Sequence, residues 1–173
     1  HGGIVAFVTS KGTMDKKSPD VRKYIAQRAD LLGAIRLPNN TFSKNAGTEV
    51  TSDILFFQKR ENMTDIMPDW VYLDENQDGI IMNKYFVDNP DMILGQMQMV
   101  SGRFGNVAEC KAFDGIDLKT LLSEAVDKIN GEITEYTVGD IEENEQVAIP
   151  ADPNVKNYSY ALIDGKVYFR ENS

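Results

Sequence analysis

The chain has 173 residues, 42% hydrophobic and 26% charged, with net charge −9, a composition that fits one soluble globular domain or one and a half small ones. Its lone cysteine, Cys110, excludes an intrachain disulfide and fits a reducing, cytoplasmic setting, and its lone histidine, His1, excludes a His/Cys zinc site and would force any Ser-His-Asp or Cys-His unit to use the first residue. No apolar run approaches the roughly 20 residues of a membrane span, and the opening HGGIVAFVTSKG lacks the basic stretch and cleavage site of a secretory leader.

Gly3 to Thr9 (GIVAFVT) is a continuous, β-branched apolar run. It predicts a strand buried on both faces, as in a parallel sheet under helices. Gly2-Gly3 before it reads as the stop of a preceding helix, so the chain reads as cut from something longer. Ser18-Pro19-Asp20 is a helix start, with a capping Ser, Pro at the first helical position and an acid suited to the dipole. Val21, Tyr24, Ile25 and Leu32 follow at helical spacing and predict a helix to near Gly33. Ala34 to Leu37 is a short strand halted by Pro38, and Glu49 to Gln58 another, its Ile54-Leu55-Phe56-Phe57 centre buried on both faces. Strand, helix, strand, loop, strand is half of an α/β sheet, too small to close a doubly wound fold alone.

From Glu61 the chain turns polar. Val71-Tyr72-Leu73 predicts a short strand, and Asn89-Pro90-Asp91 caps the methionine-rich MILGQMQM, a short helix whose methionines serve as adaptable filler. Ser101 to Gly105 is a loop, and Gly105 to Phe113 a strand. Asp117 opens the clearest helix, with Leu118, Leu121, Leu122, Ala125, Val126 and Ile129 on one face and Asn130-Gly131 closing it. The acidic GDIEENE at 139–145, with Pro150 and Pro153 beyond, reads as an exposed linker. NYSYALIDGKVYFREN then predicts a β-hairpin around Asp164-Gly165. The organisation is thus an α/β half-sheet at 1–60, an α+β connector at 61–138, and a linker with a hairpin at 139–173.

Catalytic motifs are scarce. Asp74, Asn76, Asp78 and Gly79 match the opening of a calcium-binding EF-hand loop, but the twelfth position is Tyr85 instead of a bidentate Glu, and no long helix leads in. The segment reads as a polar hairpin turn, with calcium binding the lesser reading. Gly102-Arg103-Phe104-Gly105 has the wrong spacing for a phosphate loop or a dinucleotide fingerprint, and the carboxylates of 140–145 sit where nothing excludes water. Charge is uneven: residues 1–60 carry ten Lys and Arg against five Asp and Glu, while residues 61–173 carry eight against twenty-two. A basic N-terminal third can face a polyanion although the whole chain is acidic, or its cations can simply solvate the surface.

The stretch GGIVAFVTSKG…SPDVRKYIAQRADLLGAIRLPNNTFSKNAGTEVTSDILFFQKRE resembles the C-terminal half of the catalytic domain of S-adenosylmethionine-dependent N6-adenine DNA methyltransferases, most closely the Type I and related modification enzymes. The resemblance covers about a third of the chain. It implies a partial Rossmann-like sheet: GGIVAFVTS as the fifth strand, GAIRLP as the sixth and TEVTSDILFFQKR as an antiparallel seventh, with one helix, followed by the α+β module. YFVDNPDMILGQM, SGRFGN, DLKTLLSEAVDKI and IDGKVYFRENS are similar to the central region of large mobile-element proteins that fuse an adenine methylase to a helicase. The family's glycine-rich cofactor loop, its ribose-binding acid and its Asn/Asp-Pro-Pro-Tyr/Phe motif are all absent here, so the resemblance implies a fragment that is inactive alone, with no catalytic, cofactor or metal residues of its own. It implies DNA as the partner and S-adenosylmethionine as the cofactor of the parent protein.

The resemblance gives Phe42 a role, since the family stacks a loop aromatic between strands six and seven on a flipped-out adenine. Flipping is needed because the exocyclic amine is unreachable inside the duplex, and aromatic stacking offsets roughly 1–3 kcal/mol of lost base stacking. Asn39, Asn40, Lys44 and Asn45 of that loop would touch phosphate or base edges. Lys11, Lys16 and Lys17 follow a strand end, where ligands of open α/β sheets bind, and are candidate phosphate contacts. Two alternatives stay open: Phe42 as a plug for the core, and residues 61–173 as a non-catalytic module joining a methylase to a helicase or another protein.

Overall fold

Three strands carry the first half of the chain in the computed structural model, which describes residues 2–47, 49–102, 105–135, 156–163 and 166–170. They are β1 (Ile4–Ser10), β2 (Ala29–Leu37) and β3 (Ser52–Lys59), in the sheet order β1-β3-β2. The central β3 is antiparallel to both neighbours, with Leu55 opposite Phe7 on one side and Ala34 on the other. β1 and β2 therefore run in the same direction without pairing. A register shift between Leu31 and Gly33 marks a bulge at Leu32. The molecule is mixed α/β, built on small antiparallel sheets.

Two expectations for this half are corrected. β1 is not buried on both faces of a parallel sheet. It is an edge strand whose one ladder is with β3, and Ile4, Val5 and Val8 are about half exposed (52%, 52% and 54%). Its composition suits an inner strand, but composition does not decide which strands lie beside it. The helix that follows is also shorter than its periodicity suggests: α1 (Gly12–Asp15) precedes α2 (Asp20–Ala26), and β2 already begins at Ala29. The ladder with β3 claims Ala29, Asp30, Leu31 and Gly33, all inside the span the helical spacing assigned to the helix. Val21 and Tyr24 consequently face solvent, and α2 buries Ala26 and Arg22 instead. Arg22 tolerates burial because its guanidinium donates to the carbonyls of Val71 at 2.7 Å and Lys16 at 2.8 Å.

A 3-10 turn at Asp69–Val71 sends Trp70 into the core, 5.6 Å from Phe57, which in turn stacks 5.9 Å from Phe7. The predicted Val71–Leu73 strand starts later, as β4 (Leu73–Glu75), and pairs with β5 (Ile81–Asn83). α4 (Lys84–Asp88) begins at once because the Asn83 carboxamide oxygen accepts from Tyr85 N–H. The methionine-rich segment is not a helix. After a 3-10 turn at Pro90–Met92 it becomes β6 (Gln96–Gly102), paired with β7 (Gly105–Lys111). Met97 is buried, while Met99, two residues on and on the same face, is exposed, and β7 supplies the ladder that fixes the segment as a strand. α5 (Leu118–Asp127) matches the sequence expectation, with Leu118, Leu121, Leu122 and Ala125 against the core, although Val126 is exposed.

One hydrophobic core draws on both stretches, joining Met14, Ile35, Leu55 and Phe57 with Val71, Met82, Phe86 and Met97. Residues 1–136 form one compact unit and 137–173 another. In the second unit β8 (Tyr160–Ile163) and β9 (Lys166–Phe169) make the expected hairpin, with the Tyr160 and Phe169 rings 5.1 Å apart. The acidic linker and the Asp164-Gly165 turn lie outside the described residues. Among the described residues, no helix is long and apolar enough to cross a membrane.

Past α5 the chain crosses β2 at close quarters. A Cβ on Gly131 would lie 2.3 Å from the Leu32 Cα and carbonyl oxygen, so only glycine fits without moving backbone. Gly131→Ala is expected to lower stability by about 1–3 kcal/mol, read as a lower urea midpoint at unchanged slope. An unchanged midpoint would show that this crossing is loose in solution.

Candidate nucleic-acid interface

The register of the sheet brings the candidate residues to one edge. Ser10 and Leu37, the last residues of β1 and β2, both align with Ser52, the first of β3. The loop after β1, with Lys11, Lys16 and Lys17, and the loop between β2 and β3, with Asn39 to Asn45, thus leave the sheet at the same end. Lys11 N–H donates to the Thr51 carbonyl at 3.0 Å and ties one loop to the other. Lys16 and Lys17 are exposed, as are Asn40 and Lys44, while Lys11 is partly covered.

The β2–β3 loop is ordered by its own hydrogen bonds. Thr41 N–H and hydroxyl both donate to the Pro38 carbonyl, and Ser43 does the same to Asn40. These turns launch α3 (Ser43–Ala46), which contains Lys44 and Asn45 and ends at Gly47 in the left-handed region, φ +63°. Phe42 is the residue immediately before α3. It is half-buried and packs against the core, so part of its ring is already in use. Asn39 is held elsewhere: its N–H donates to the Cys110 carbonyl at 2.8 Å and its carboxamide to Glu109 at 3.2 Å. A side chain turned onto a carboxylate is badly placed to meet phosphate.

Beneath this edge lies a charged cluster that the sequence reading missed. Arg36 on β2 is fully buried and bidentate to two carboxylates, to Asp53 on β3 at 2.8 and 2.9 Å and to Asp15 on α1 at 2.9 Å twice. Its guanidinium carbon lies 4.3 Å from the Phe86 ring centroid. Burial alone would lower the pKa of Arg36, but the hydrogen bonds and charges of Asp53 and Asp15 outweigh it and raise it. Burial pushes Asp53 up, opposed by the same bonds from Arg36. Asp15 also accepts from Asn83 N–H at 3.0 Å, which joins α1 to β5. The available signal was an ionisable residue inside each of two apolar strand runs, AIRLP and TSDILFF.

This cluster is saturated and holds no free base. Where a cofactor would lie against the ends of β1 and β2, the space is filled by Met14 and Arg36, both at 0% exposure, and by Asp15. S-adenosylmethionine therefore does not fit at this edge as it stands. The Asp74–Tyr85 segment is a hairpin turn: the Asn76 carboxamide oxygen accepts from Asp78 and Ile80 N–H at 3.0 and 2.8 Å, so a would-be calcium ligand is spent on its own loop. No group of three or more His, Cys, Asp or Glu is placed to hold a metal ion among the described residues. No protein family, curated protein or solved structure matches the chain.

Two measurements probe this region. Arg36→Met leaves two carboxylates buried without their cation, and is expected to cost about 3–5 kcal/mol in chemical unfolding. Adding Asp15→Asn and Asp53→Asn should recover part of that loss, whereas strictly additive costs would show that the charges do not act as one network. Cys110, beside the same cluster, is raised to about 12, mainly by burial, with Arg36 opposing and Asp53 and Glu109 adding. Because the folded value lies above the ordinary 9.0, the contribution of the thiol to stability is complete below that pH and is lost as pH rises toward about 12. Ellman's reagent at pH 8 should leave Cys110 unmodified until denaturant is added, and rapid native labelling would contradict its burial.

Proposed function

We propose that this chain is the C-terminal part of a DNA adenine-N6 methyltransferase and contributes a base-receiving loop without cofactor or catalytic groups. The observation that carries the reading is the sheet end itself. An antiparallel third strand sits between two strands of common direction, and its loop brings Phe42 beside the Lys11–Lys17 loop at a single edge. That agrees with the antiparallel last strand that the sequence resemblance implies. The exposed apolar β1 supports it too, since such a strand suits a sheet that continues past it in a longer parent. Every described ladder is antiparallel, so the Rossmann-like sheet of the parent is part of the proposal.

Within this reading, Phe42 stacks on an extruded adenine with its uncovered face, and Lys16, Lys17 and Lys44 neutralise phosphates. Methyl transfer from S-adenosylmethionine belongs to the remainder of the parent, which would act on DNA in the cytoplasm. A second reading, a non-catalytic interaction module, is favoured by Glu109, whose carboxylate stands against Asn39 in the middle of the candidate DNA face.

The test uses a 2-aminopurine oligonucleotide titrated with the chain at low salt. Quenching is expected, with affinity falling by about tenfold in Phe42→Leu, as loss of one aromatic–base stack predicts. Leucine keeps most of the packing volume, so a core plug would leave DNA binding unchanged. Equal binding by Phe42→Leu, or no binding by the wild type, would overturn the proposal.

A further inference from the structure

Away from the loop edge, a groove of about 290 Å³ opens beside the β4–β5 turn. Its floor is apolar: Met82, Phe86, Val87, Pro90 and Ile93. The lip is the turn itself, Glu75 to Asp78. Both parts are held in place. Phe86 is fixed between the Arg36 guanidinium and the Tyr85 ring, which meets it edge-on at 5.4 Å. The lip is set by Asn76, whose N–H donates to the Ile80 carbonyl at 3.0 Å and whose carbonyl accepts from Gly79 N–H at 3.0 Å.

The charges around the groove are unequal in state. Asp69, Asp74 and Asp88 share Lys84, and Asp91 pairs with Lys128. Glu75 and Asp78 on the lip are exposed and have no ion pair among the described residues. The groove thus joins a preformed apolar floor to two uncompensated carboxylates. Its volume is at the small end for a drug-sized ligand and suits one or two side chains of a larger partner. We infer that this groove docks a basic segment of a partner protein, with an aliphatic or aromatic side chain on the floor and a flanking Lys or Arg against Glu75 and Asp78. The lip repels nucleic acid, so this surface is distinct from the DNA edge and stands whether or not the methylase reading holds.

A fluorescent peptide, Lys-Lys-Phe-Leu-Lys-Lys, titrated against the whole chain tests it. Saturable binding is expected, weaker by about tenfold for the Glu75→Gln/Asp78→Asn double variant, the size of losing one favourable charge contact. Both lip residues are exposed, so that variant keeps the fold; Val87→Lys, which places a cation on the floor, should weaken binding as well. The controls are Glu-Glu-Phe-Leu-Glu-Glu and Lys-Lys-Ser-Ser-Lys-Lys. No saturable binding, an acidic peptide that binds as well, a serine peptide that binds as well, or a double variant with wild-type affinity would each overturn the inference. Self-association of the chain that disappears in the double variant would assign the groove to a second copy and overturn it equally.

Discussion

The Arg36 cluster is the constraint on which the rest of the larger unit depends. One guanidinium sits at 0% exposure between two carboxylates and an aromatic face, and its partners come from separate elements: Asp53 from the central strand, Asp15 from α1 and Phe86 from α4. Asp15 extends the network to β5 through Asn83, whose carboxamide donates onward to the Met14 and Trp70 carbonyls at 2.9 and 2.8 Å. An isolated charge at such a site costs far more than any single apolar contact returns. The elements that satisfy Arg36 are therefore obliged to meet, and the core closes around them.

This arrangement has consequences for both candidate surfaces. It sets the sheet edge, because the same residues that bury Arg36 fill the space beneath the loops and leave Phe42 and the lysines at the rim. It also stiffens the groove floor, since Phe86 is the ring that Arg36 covers. The proposed basic loop edge and the proposed acidic lip, opposite in charge preference, thereby rest on shared buried side chains. Cys110 belongs to the same support: its N–H is held by the Thr51 hydroxyl and its carbonyl by Asn39, so the β6–β7 hairpin is fastened to the loop that carries Phe42.

Much of the fold could be read directly. The α5 face, the strand at Ile54–Phe57, the terminal hairpin and the polar turn at Asn76–Gly79 all follow from local period and turn chemistry, which neighbours do not need to supply. The misreadings share one cause. Val21 and Tyr24 have helical spacing yet face solvent, while Arg22 lies inside because distant carbonyls from Val71 and Lys16 receive it. MILGQMQM has no strong intrinsic preference, and it became a strand because β7 offered a ladder.

By itself the sequence determined which segments are apolar, where the turns fall, and that its one histidine and one cysteine are His1 and Cys110, because these are properties of residue type and spacing. Tertiary structure alone decided that β3 lies between β1 and β2, that an Arg and two Asp from three separate segments form one buried network, and that Asn39 turns to Glu109 while the Phe42 loop stays beside the lysines. Each of those depends on which backbone partners a segment meets and on the cost of leaving a buried charge or hydrogen-bonding group unmatched, and neither is written in local sequence.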